Sequence, residues 1–439
     1  MMHRELSTLS QLMVSLLLLL FMNNCKSSSS AYPLRSARSA MNLEADLPQI
    51  ETVVFHLNDS VTRVFFKITN ENLLYKRMDT SAAFFARLKV FMEARSLDSP
   101  RKIADSLSLF LYDRSEEEQV KLRSLQTSYT CNLRKGNYVM NIICADENRH
   151  VRYMKTVEVN KTSRSSYQNF LLLRNDSVHF GNQILVGATY KICYAYPADL
   201  QLGVGNERYL LRRGFYPPGG PAATPFAAKE KTEDLRKPED ETLIGSTDSL
   251  WSIRAEQDGY LRISVQTSAH EGLSLFTVDE SFPGVSSTRE MIQCTRYLMS
   301  KEEFEKCLVA DDPKSAIEKF WLDIGGSQER ARELVRKYYN RVKEANKNFS
   351  SYMPGWKTDR GMIYIVMGQP YNTLSGENSE TWVYGTEANP NALRFLFIRK
   401  ESACTDMDYT LERSFLYRDP FHQAVAYWRQ GLVFNEPGR

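Results

Sequence analysis

Residues 354–370 read PGWKTDRGMIYIVMGQP, and this stretch decides how the C-terminal part of the chain is expected to fold. Its middle, Met362–Met367, is apolar on both faces of an extended chain. Gly361 and Gly368 bound the run, and glycine can take backbone angles that are closed to other residues. A strand with two apolar faces lies inside a sheet and is covered on both sides. The sequence therefore predicts a central strand over Met362–Met367.

The residues around this run predict two further strands and several helices. Residues 380–384 and 393–398 supply the strands. Upstream, Ser300 and Glu303 form a capping box, Asp312-Pro313 begins a second helix, and Gly325-Gly326 ends it. Ser327 then caps a longer helix with apolar residues at three- and four-residue steps, namely Ala331, Leu334, Val335, Tyr338, Val342, Ala345 and Phe349. A C-terminal α+β domain with a small antiparallel sheet is expected over residues 291–439.

The chain before residue 290 shows a different pattern, with short segments rich in strand formers between turn residues. Such segments are typical of a β-sandwich. We expect an immunoglobulin-like sandwich over residues 46–162 and a second β-rich domain over 163–290, with a disordered loop near 215–242. One elaborated sandwich is the alternative to two. The expected fold class is therefore mixed, with a β-sandwich region followed by the α+β domain.

The N-terminus indicates export. The apolar run Leu12–Met22 follows a charged stretch and is too short to cross a bilayer, which predicts a signal peptide over residues 1–24. The run ends before Cys25 and four serines, and this pattern resembles a bacterial lipoprotein signal. The resemblance implies lipidation of Cys25 and a flexible tether over residues 25–45. Ordinary secretion with an incidental cysteine is the alternative.

Composition and motifs give no indication of catalysis. The formal net charge of +3, from 56 basic and 53 acidic side chains, does not suggest nucleic acid as a partner. No C-x-x-C, H-E-x-x-H, Walker A or G-x-S-x-G motif occurs, so we expect no catalytic residues, metal or cofactor. Of seven cysteines, six remain if Cys25 is lipidated, and both free thiols and disulfides stay open for them.

The C-terminal stretch resembles the GWxTD domain of Bacteroidota lipoproteins, a family named for the motif that stands here at residues 355–359. The positions that carry the resemblance are Gly355, Trp356, Thr358, Asp359, Arg360, Gly361, Gly368, Pro370, Glu380, Trp382 and Tyr384. The resemblance implies a location in the cell envelope and no established activity. Surface-exported lipoproteins of the Bacteroidota resemble one another in carrying acidic residues just after the cysteine. Lys26 and serines follow Cys25 here, so the comparison with that group favours the periplasmic side of the outer membrane.

Two interpretations of the motif differ in what its polar residues do. In the first, Thr358 and Asp359 cap a turn by accepting hydrogen bonds from backbone amides, while Trp356 fills a pocket beneath. The protein is then a non-enzymatic envelope lipoprotein that binds another protein or a glycan. In the second, Asp359, Arg360 and Glu380 form the site of an envelope hydrolase or glycan-modifying enzyme. Glu380 is expected to pair with Arg360.

A second, weaker pattern recurs along the chain. Asp-Ser followed by an apolar residue is similar to the acceptor for periplasmic O-glycosylation in Bacteroidota. The candidate sites are Ser60, Ser106, Ser177 and Ser249.

Overall fold

The structure, a computed structural model, describes residues 50–69, 73–77, 83–115, 124–196, 211–216, 220–228, 240–243, 250–265, 272–376, 378–385, 392–400 and 407–435. The expected signal peptide, Cys25 and its tether, Ser249 and Cys404 lie outside these residues.

The first part of the described chain is a pair of antiparallel sheets. Its strands are β1 (Ile50–His56), β2 (Val61–Thr69), β3 (Lys76–Arg77), β4 (Phe84–Ser96), β5 (Ile103–Ser115), β6 (Ser124–Asn132), β7 (Asn137–Asp146) and β8 (Val151–Asn160). One sheet has the order β1-β2-β6, and the other has the order β3-β4-β7-β8 with β5 also paired to β4. Side chains from both sheets, among them Phe66, Val90 and Ile142, form one apolar core between them.

A second pair of sheets follows. Its strands are β9 (Phe170–Arg174), β10 (Ser177–Val178), β11 (Gln183–Leu185), β12 (Thr189–Tyr194), β13 (Leu211–Tyr216), β14 (Asp240–Leu243), β15 (Leu250–Arg254), β16 (Tyr260–Val265) and β17 (Leu273–Val278). They form the sheets β10-β9-β12-β15 and β11-β17-β16-β13-β14, in which only the β11–β17 pair among the described strands is parallel. Tyr190, Ile192 and Ile263 belong to a core of their own between these sheets.

Helices and a small sheet make up the C-terminal part. The helices are α1 (Thr288–Thr295), α2 (Lys301–Leu308), α3 (Pro313–Gly325), α4 (Gln328–Phe349), α5 (Asp359–Met367) and α6 (Arg418–Arg429). The sheet has the order β18-β19-β20-β21, with strands β18 (Asn372–Ser375), β19 (Ser379–Tyr384), β20 (Leu393–Arg399) and β21 (Tyr409–Leu411). The mixed fold class predicted from the sequence is confirmed. The capping box of α2 and the N-caps Asp312 and Ser327 are present as predicted.

The strand predicted over Met362–Met367 is wrong, because these residues belong to helix α5. All nine residues of α5 are buried, so the apolar run has no polar face that would show a helical period. A short apolar run of this kind fits a buried strand and a buried helix equally well. Thr358 decides between them, because its hydroxyl accepts a hydrogen bond from the backbone N–H of Gly361 and thereby caps a helix.

Part of the loop expected to be disordered near 215–242 is packed against the C-terminal domain. The backbone N–H of Ala222 donates to the carbonyl of Lys357 at 3.0 Å, and that of Ser414 donates to the carbonyl of Pro225 at 3.1 Å. The Phe226 ring lies 5.0 Å from the ring of His422. Residues 220–228 are therefore ordered, and β13 and β14 flank them in the chain.

None of the helices in the described part of the chain has the length and apolar character needed to span a bilayer. Within those same residues, Cys131, Cys144, Cys193, Cys294 and Cys307 are free thiols.

Candidate functional site

The two glycines of the motif bring three backbone segments into close contact. Gly355 begins a 3-10 turn over Gly355–Lys357, and a Cβ atom there would lie 1.9 Å from the carbonyl oxygen of Ala345 in α4. A Cβ atom on Gly361 would lie 1.9 Å from the carbonyl oxygen of Gly355. Helix α4, the turn and helix α5 thus stack backbone against backbone, and any side chain at either position would force them apart.

Each polar group of Trp356 has a hydrogen-bond partner within the protein. Its side chain is fully buried, and its indole Nε1–H donates to Oε1 of Glu290 at 3.3 Å. Its backbone N–H donates to Oδ1 of Asn346 at 3.0 Å, and its carbonyl accepts from the Tyr297 hydroxyl at 2.7 Å. A buried indole needs such a partner for its N–H. Trp356 is therefore a core residue that joins α1, α4 and the motif turn.

Asn346 on α4 is the central polar residue beneath the turn. Its amide nitrogen donates to the Pro283 carbonyl at 2.9 Å, and its amide oxygen accepts from Trp356, so both ends of a nearly inaccessible side chain are satisfied. One helical turn later, the Ser350 hydroxyl donates to the Asn346 carbonyl and accepts from the Gly355 N–H at 2.9 Å. The helix end thus positions the motif turn.

Thr358 and Asp359 have different roles. The Thr358 hydroxyl donates to the Gly355 carbonyl at 2.8 Å and caps α5. Asp359 accepts from the backbone N–H of Leu411 at 2.8 Å with Oδ2 and from Arg413 Nη2 at 2.8 Å with Oδ1. The predicted backbone bond of Asp359 exists, but it reaches 52 residues along the chain and ties α5 to β21 instead of capping a local turn.

Arg360 and Glu380 form a buried ion pair, the pairing that the sequence predicts. Arg360 Nη1 lies 3.5 Å from Glu380 Oε2, and Arg360 Nη2 donates to the Met407 carbonyl at 2.7 Å. The guanidinium lies 4.2 Å from the centroid of the Tyr409 ring. The other carboxylate oxygen, Oε1, accepts from the indole of Trp382. The Glu380 carboxylate therefore binds both the Arg360 guanidinium and the Trp382 indole of the small sheet.

The remaining motif positions close the far end of α5. Gly368 ends the helix with a φ of 81°, a conformation that favours glycine. Its carbonyl accepts from the Tyr384 hydroxyl at 2.7 Å, and Pro370 is buried two residues on. Arg341 on α4 donates to the Ile365 carbonyl at 3.2 Å and so satisfies one of the last carbonyls of the helix.

Lys357, the variable position of the motif, lies on another side of the turn. Its ammonium sits 5.3 Å from the Trp356 ring centroid. Burial lowers the pKa of Lys357, and the charge of Glu290 opposes that shift. Burial raises the pKa of Glu290 in turn. Lys357 therefore does not join Asp359 and Arg360 in one polar site.

Residues 355–361 are buried except for Lys357 and Thr358, which are partly exposed. Trp356 is 0% exposed, Arg360 4%, Glu380 6% and Asp359 8%. Within the described residues, no group of three or more histidine, cysteine or acidic side chains could hold a metal ion. The arrangement can position helices and strands, whereas substrate chemistry would require these groups to become accessible.

A protein-family model matches the part of the chain that contains this site. The model of the GWxTD domain matches residues 259–430. The chain contains a GWxTD domain. No curated protein is significantly similar to the chain. The GWxTD match starts at residue 259, so it takes in β16 and β17 of the preceding sheets as well as the helices and the small sheet.

Several residues that complete the GWxTD domain were not found from the sequence. Asn346 stands within a helix pattern, Arg413 follows β21, and neither has a local motif. Arg413 donates to the carbonyls of Ala223 and Thr224, both at 3.1 Å, and so connects Asp359 to residues 220–228. Among the candidate glycosylation sites, Ser60, Ser106 and Ser177 are exposed, and their modification stays a prediction.

Substitution of Asp359 tests the tie between α5 and β21. Asp359→Ala should lower the free energy of unfolding by about 1.5–3 kcal/mol, because the amide of Leu411 and the guanidinium of Arg413 both lose their acceptor. Asp359→Asn should cost less, because asparagine keeps one acceptor oxygen. Denaturant unfolding monitored by tryptophan fluorescence measures both, with the exposed Asp323→Ala as the control. Equal stability of all three variants would contradict a structural role.

Proposed function

We propose that the protein is a non-enzymatic, lipid-anchored component of the cell envelope that binds another protein or a glycan. The observation that carries the proposal is the burial of the GWxTD motif, whose polar groups bond to backbone and side chains within the domain. A catalytic group must reach its substrate, usually within hydrogen-bond distance. An enzyme with its site at Asp359, Arg360 and Glu380 would have to open this core.

The sheets before the GWxTD domain support a binding role. Strand β5 carries Phe110 and Tyr112, which are 48% and 60% exposed. Their rings lie 6.3 Å apart on one face of the strand. Aromatic side chains are enriched in protein interfaces relative to the rest of the surface. Sandwich modules present such strands and their loops to partners.

The anchor part of the proposal rests on the sequence of residues 1–30. Native protein should begin at an acylated Cys25 and partition into detergent, whereas a Cys25→Ser variant should remain in the aqueous phase, because acyl chains supply the membrane affinity. Mass spectrometry of the mature N-terminus measures this directly. An unmodified N-terminus at another residue would overturn the anchor.

Crosslinking of the native protein in its membrane, followed by pull-down and identification of the attached species, tests the binding role. We expect an envelope protein or glycan to be recovered with the native protein and to be depleted with a variant in which Phe110 and Tyr112 are both serine. Recovery of the same partner in equal amount from that variant would reject the β5 face as the contact surface. Loss of cellular function in an Asp359→Asn variant that unfolds like the parent would favour the enzyme instead.

A further inference from the structure

A cleft of about 410 Å³ lies where the first pair of sheets meets the second. Its lining comes from the β1–β2 turn, the β6–β7 turn, the segment that follows β8 and a residue just beyond β12. The lining residues are Asp59, Ser60, Arg134, Lys135, Lys161, Thr162, Ser163, Arg164, Asn169 and Tyr196. None of them belongs to the GWxTD domain, so the cleft is separate from the motif.

The cleft has an excess of positive charge. Four of its lining residues are lysine or arginine, and Asp59 is the single carboxylate among them. Asp59 pairs with Arg164 at 3.1 Å, and the Arg164 guanidinium also lies 3.6 Å from the centroid of the Tyr196 ring. Within the described part of the chain, no carboxylate lies at salt-bridge distance from Arg134, Lys135 or Lys161. Three cations therefore line the cleft without a matching anion.

Lys161 is the cation that the fold holds most tightly. It is only 6% exposed, and its ammonium donates to the Thr62 hydroxyl at 2.9 Å. His56 Nε2 bonds to the Asn160 carbonyl at 3.0 Å and must donate, because a carbonyl only accepts. His56 Nδ1 therefore accepts from the Thr62 hydroxyl at 2.9 Å, which leaves the Thr62 oxygen to accept from Lys161. This series of hydrogen bonds uses one of the three ammonium hydrogens of Lys161.

A cation that is largely removed from water is costly unless an anion or further acceptors satisfy it. The neutral Thr62 hydroxyl does not compensate the charge of Lys161. The geometry points to a ligand: we infer that the cleft binds the carboxylate or phosphate group of an acidic saccharide, with Lys161 contacting the oxyanion. Arg134 and Lys135 are exposed at its rim and would meet the same charge.

The saccharide assignment follows from the rest of the lining. Ser60 and Thr162 place hydroxyls beside the cations. The Thr162 hydroxyl donates to Asn160 Oδ1 at 2.7 Å, and its oxygen can still accept a hydrogen bond from a sugar hydroxyl. The volume falls in the range of ligand pockets, about 300–1,000 Å³, and exceeds what a bare inorganic anion would fill. The inference rests on the proposed binding role and adds a ligand site that is separate from the β5 face.

The protonation of Lys161 gives the site a pH signature. Burial lowers the pKa of Lys161 to about 8, while the negative charge of Asp59 acts in the opposite direction. Burial lowers the pKa of His56 to about 4 and raises that of Cys131 to about 12, so both are neutral between pH 6 and 9. Arg134, Lys135, Arg164 and Asp59 are the other charged groups that line the cleft. Oxyanion affinity should be full below about pH 8 and fall as the pH rises through it.

Isothermal titration calorimetry of the full chain tests the inference with four probes: glucuronate, glucose 6-phosphate, glucose and inorganic phosphate. We expect the two acidic sugars to bind at least about tenfold more tightly than glucose, the difference that one charge-assisted contact typically makes. Lys161→Met should weaken acidic-sugar binding by at least about tenfold. Lys89→Met, an exposed lysine on the outer face of β4, removes the same charge and should leave binding unchanged.

Because Lys161→Met alters a buried side chain and can affect folding, a second variant tests the same cleft without changing a buried residue. Arg134→Gln with Lys135→Gln alters exposed side chains only and should also weaken the acidic sugars. Absence of acidic-sugar binding, or equal affinity for glucose, would overturn the inference. Inorganic phosphate binding as tightly as glucose 6-phosphate would overturn the saccharide assignment. If crosslinking still recovers an envelope partner while the calorimetry fails, the saccharide site is rejected and the proposed binding role stands.

Discussion

Trp356→Ala is expected to lower the free energy of unfolding of the GWxTD domain by about 3–5 kcal/mol, the usual cost of deleting a large core aromatic. The indole is fully buried and is the point where α1, α4 and the motif turn meet. Its removal leaves a cavity between these elements. It also leaves Glu290, whose ionised form is already disfavoured by burial, without its N–H donor. Chemical denaturation followed by circular dichroism and by the fluorescence of the remaining tryptophans measures the loss.

One further variant separates the apolar volume of the ring from its hydrogen bond, and another provides a control. Trp356→Phe keeps most of the apolar volume and loses the bond to Glu290, so it should cost about 1–2 kcal/mol. Tyr371→Ala removes an aromatic side chain that is 70% exposed a few residues beyond α5, and it should be nearly neutral. A denaturation midpoint that is the same for Trp356→Ala and for the parent would place the indole on a binding surface instead of in the core.

The elements that could be predicted from the sequence are those with a local signal in their own residues. Helix α4 was found because its apolar residues recur at helical spacing over 22 residues and because Ser327 caps it. The strands of the sandwiches alternate between buried and partly exposed residues, as β2 does throughout its length. Such periods are properties of a short segment and need no knowledge of the rest of the chain.

The errors and omissions have the opposite cause. Helix α5 is enclosed on all sides, so its six-residue apolar run has no period to read, and only the cap at Thr358 marks it as a helix. The sequence indicates a conformationally permissive residue at Gly361, whereas Gly355 and Gly361 actually admit a neighbouring backbone at a distance that no Cβ allows. The partners of Asp359 stand 52 and 54 residues away, beyond the reach of any motif.

The cleft at Lys161 was missed for the same reason. Four separate segments line it, and the four cations come from only two of them, two from residues 134–135 and two from residues 161–164. What distinguishes Lys161 from the other lysines is its burial and its bond to Thr62, and both arise only after folding. Among the lining residues, only Ser60 had drawn attention in the sequence, as a candidate glycosylation site.

Glu380→Ala should destabilise the GWxTD domain by about 3–5 kcal/mol, because removal of one member of a buried ion pair leaves the other charge uncompensated. Glu380 and Arg360 are 6% and 4% exposed, so water cannot replace the lost partner well. Denaturant unfolding measures the change, and Glu412→Ala, on an exposed residue after β21, provides the control. Glu380→Gln should fall between parent and alanine variant, because its amide oxygen can still accept from Trp382.

A double substitution distinguishes an ion pair that builds the fold from one kept for chemistry. If the pair is structural, replacing Arg360 and Glu380 together by methionine should restore much of the stability lost in Glu380→Ala, because no buried charge remains. Full recovery is not expected, since Arg360 also donates to the Met407 carbonyl and stacks on Tyr409. The protein should then keep its cellular role in proportion to the amount that folds. A double variant that folds like the parent yet loses that role would reassign Arg360 and Glu380 to function, because a catalytic group can be removed without unfolding the protein.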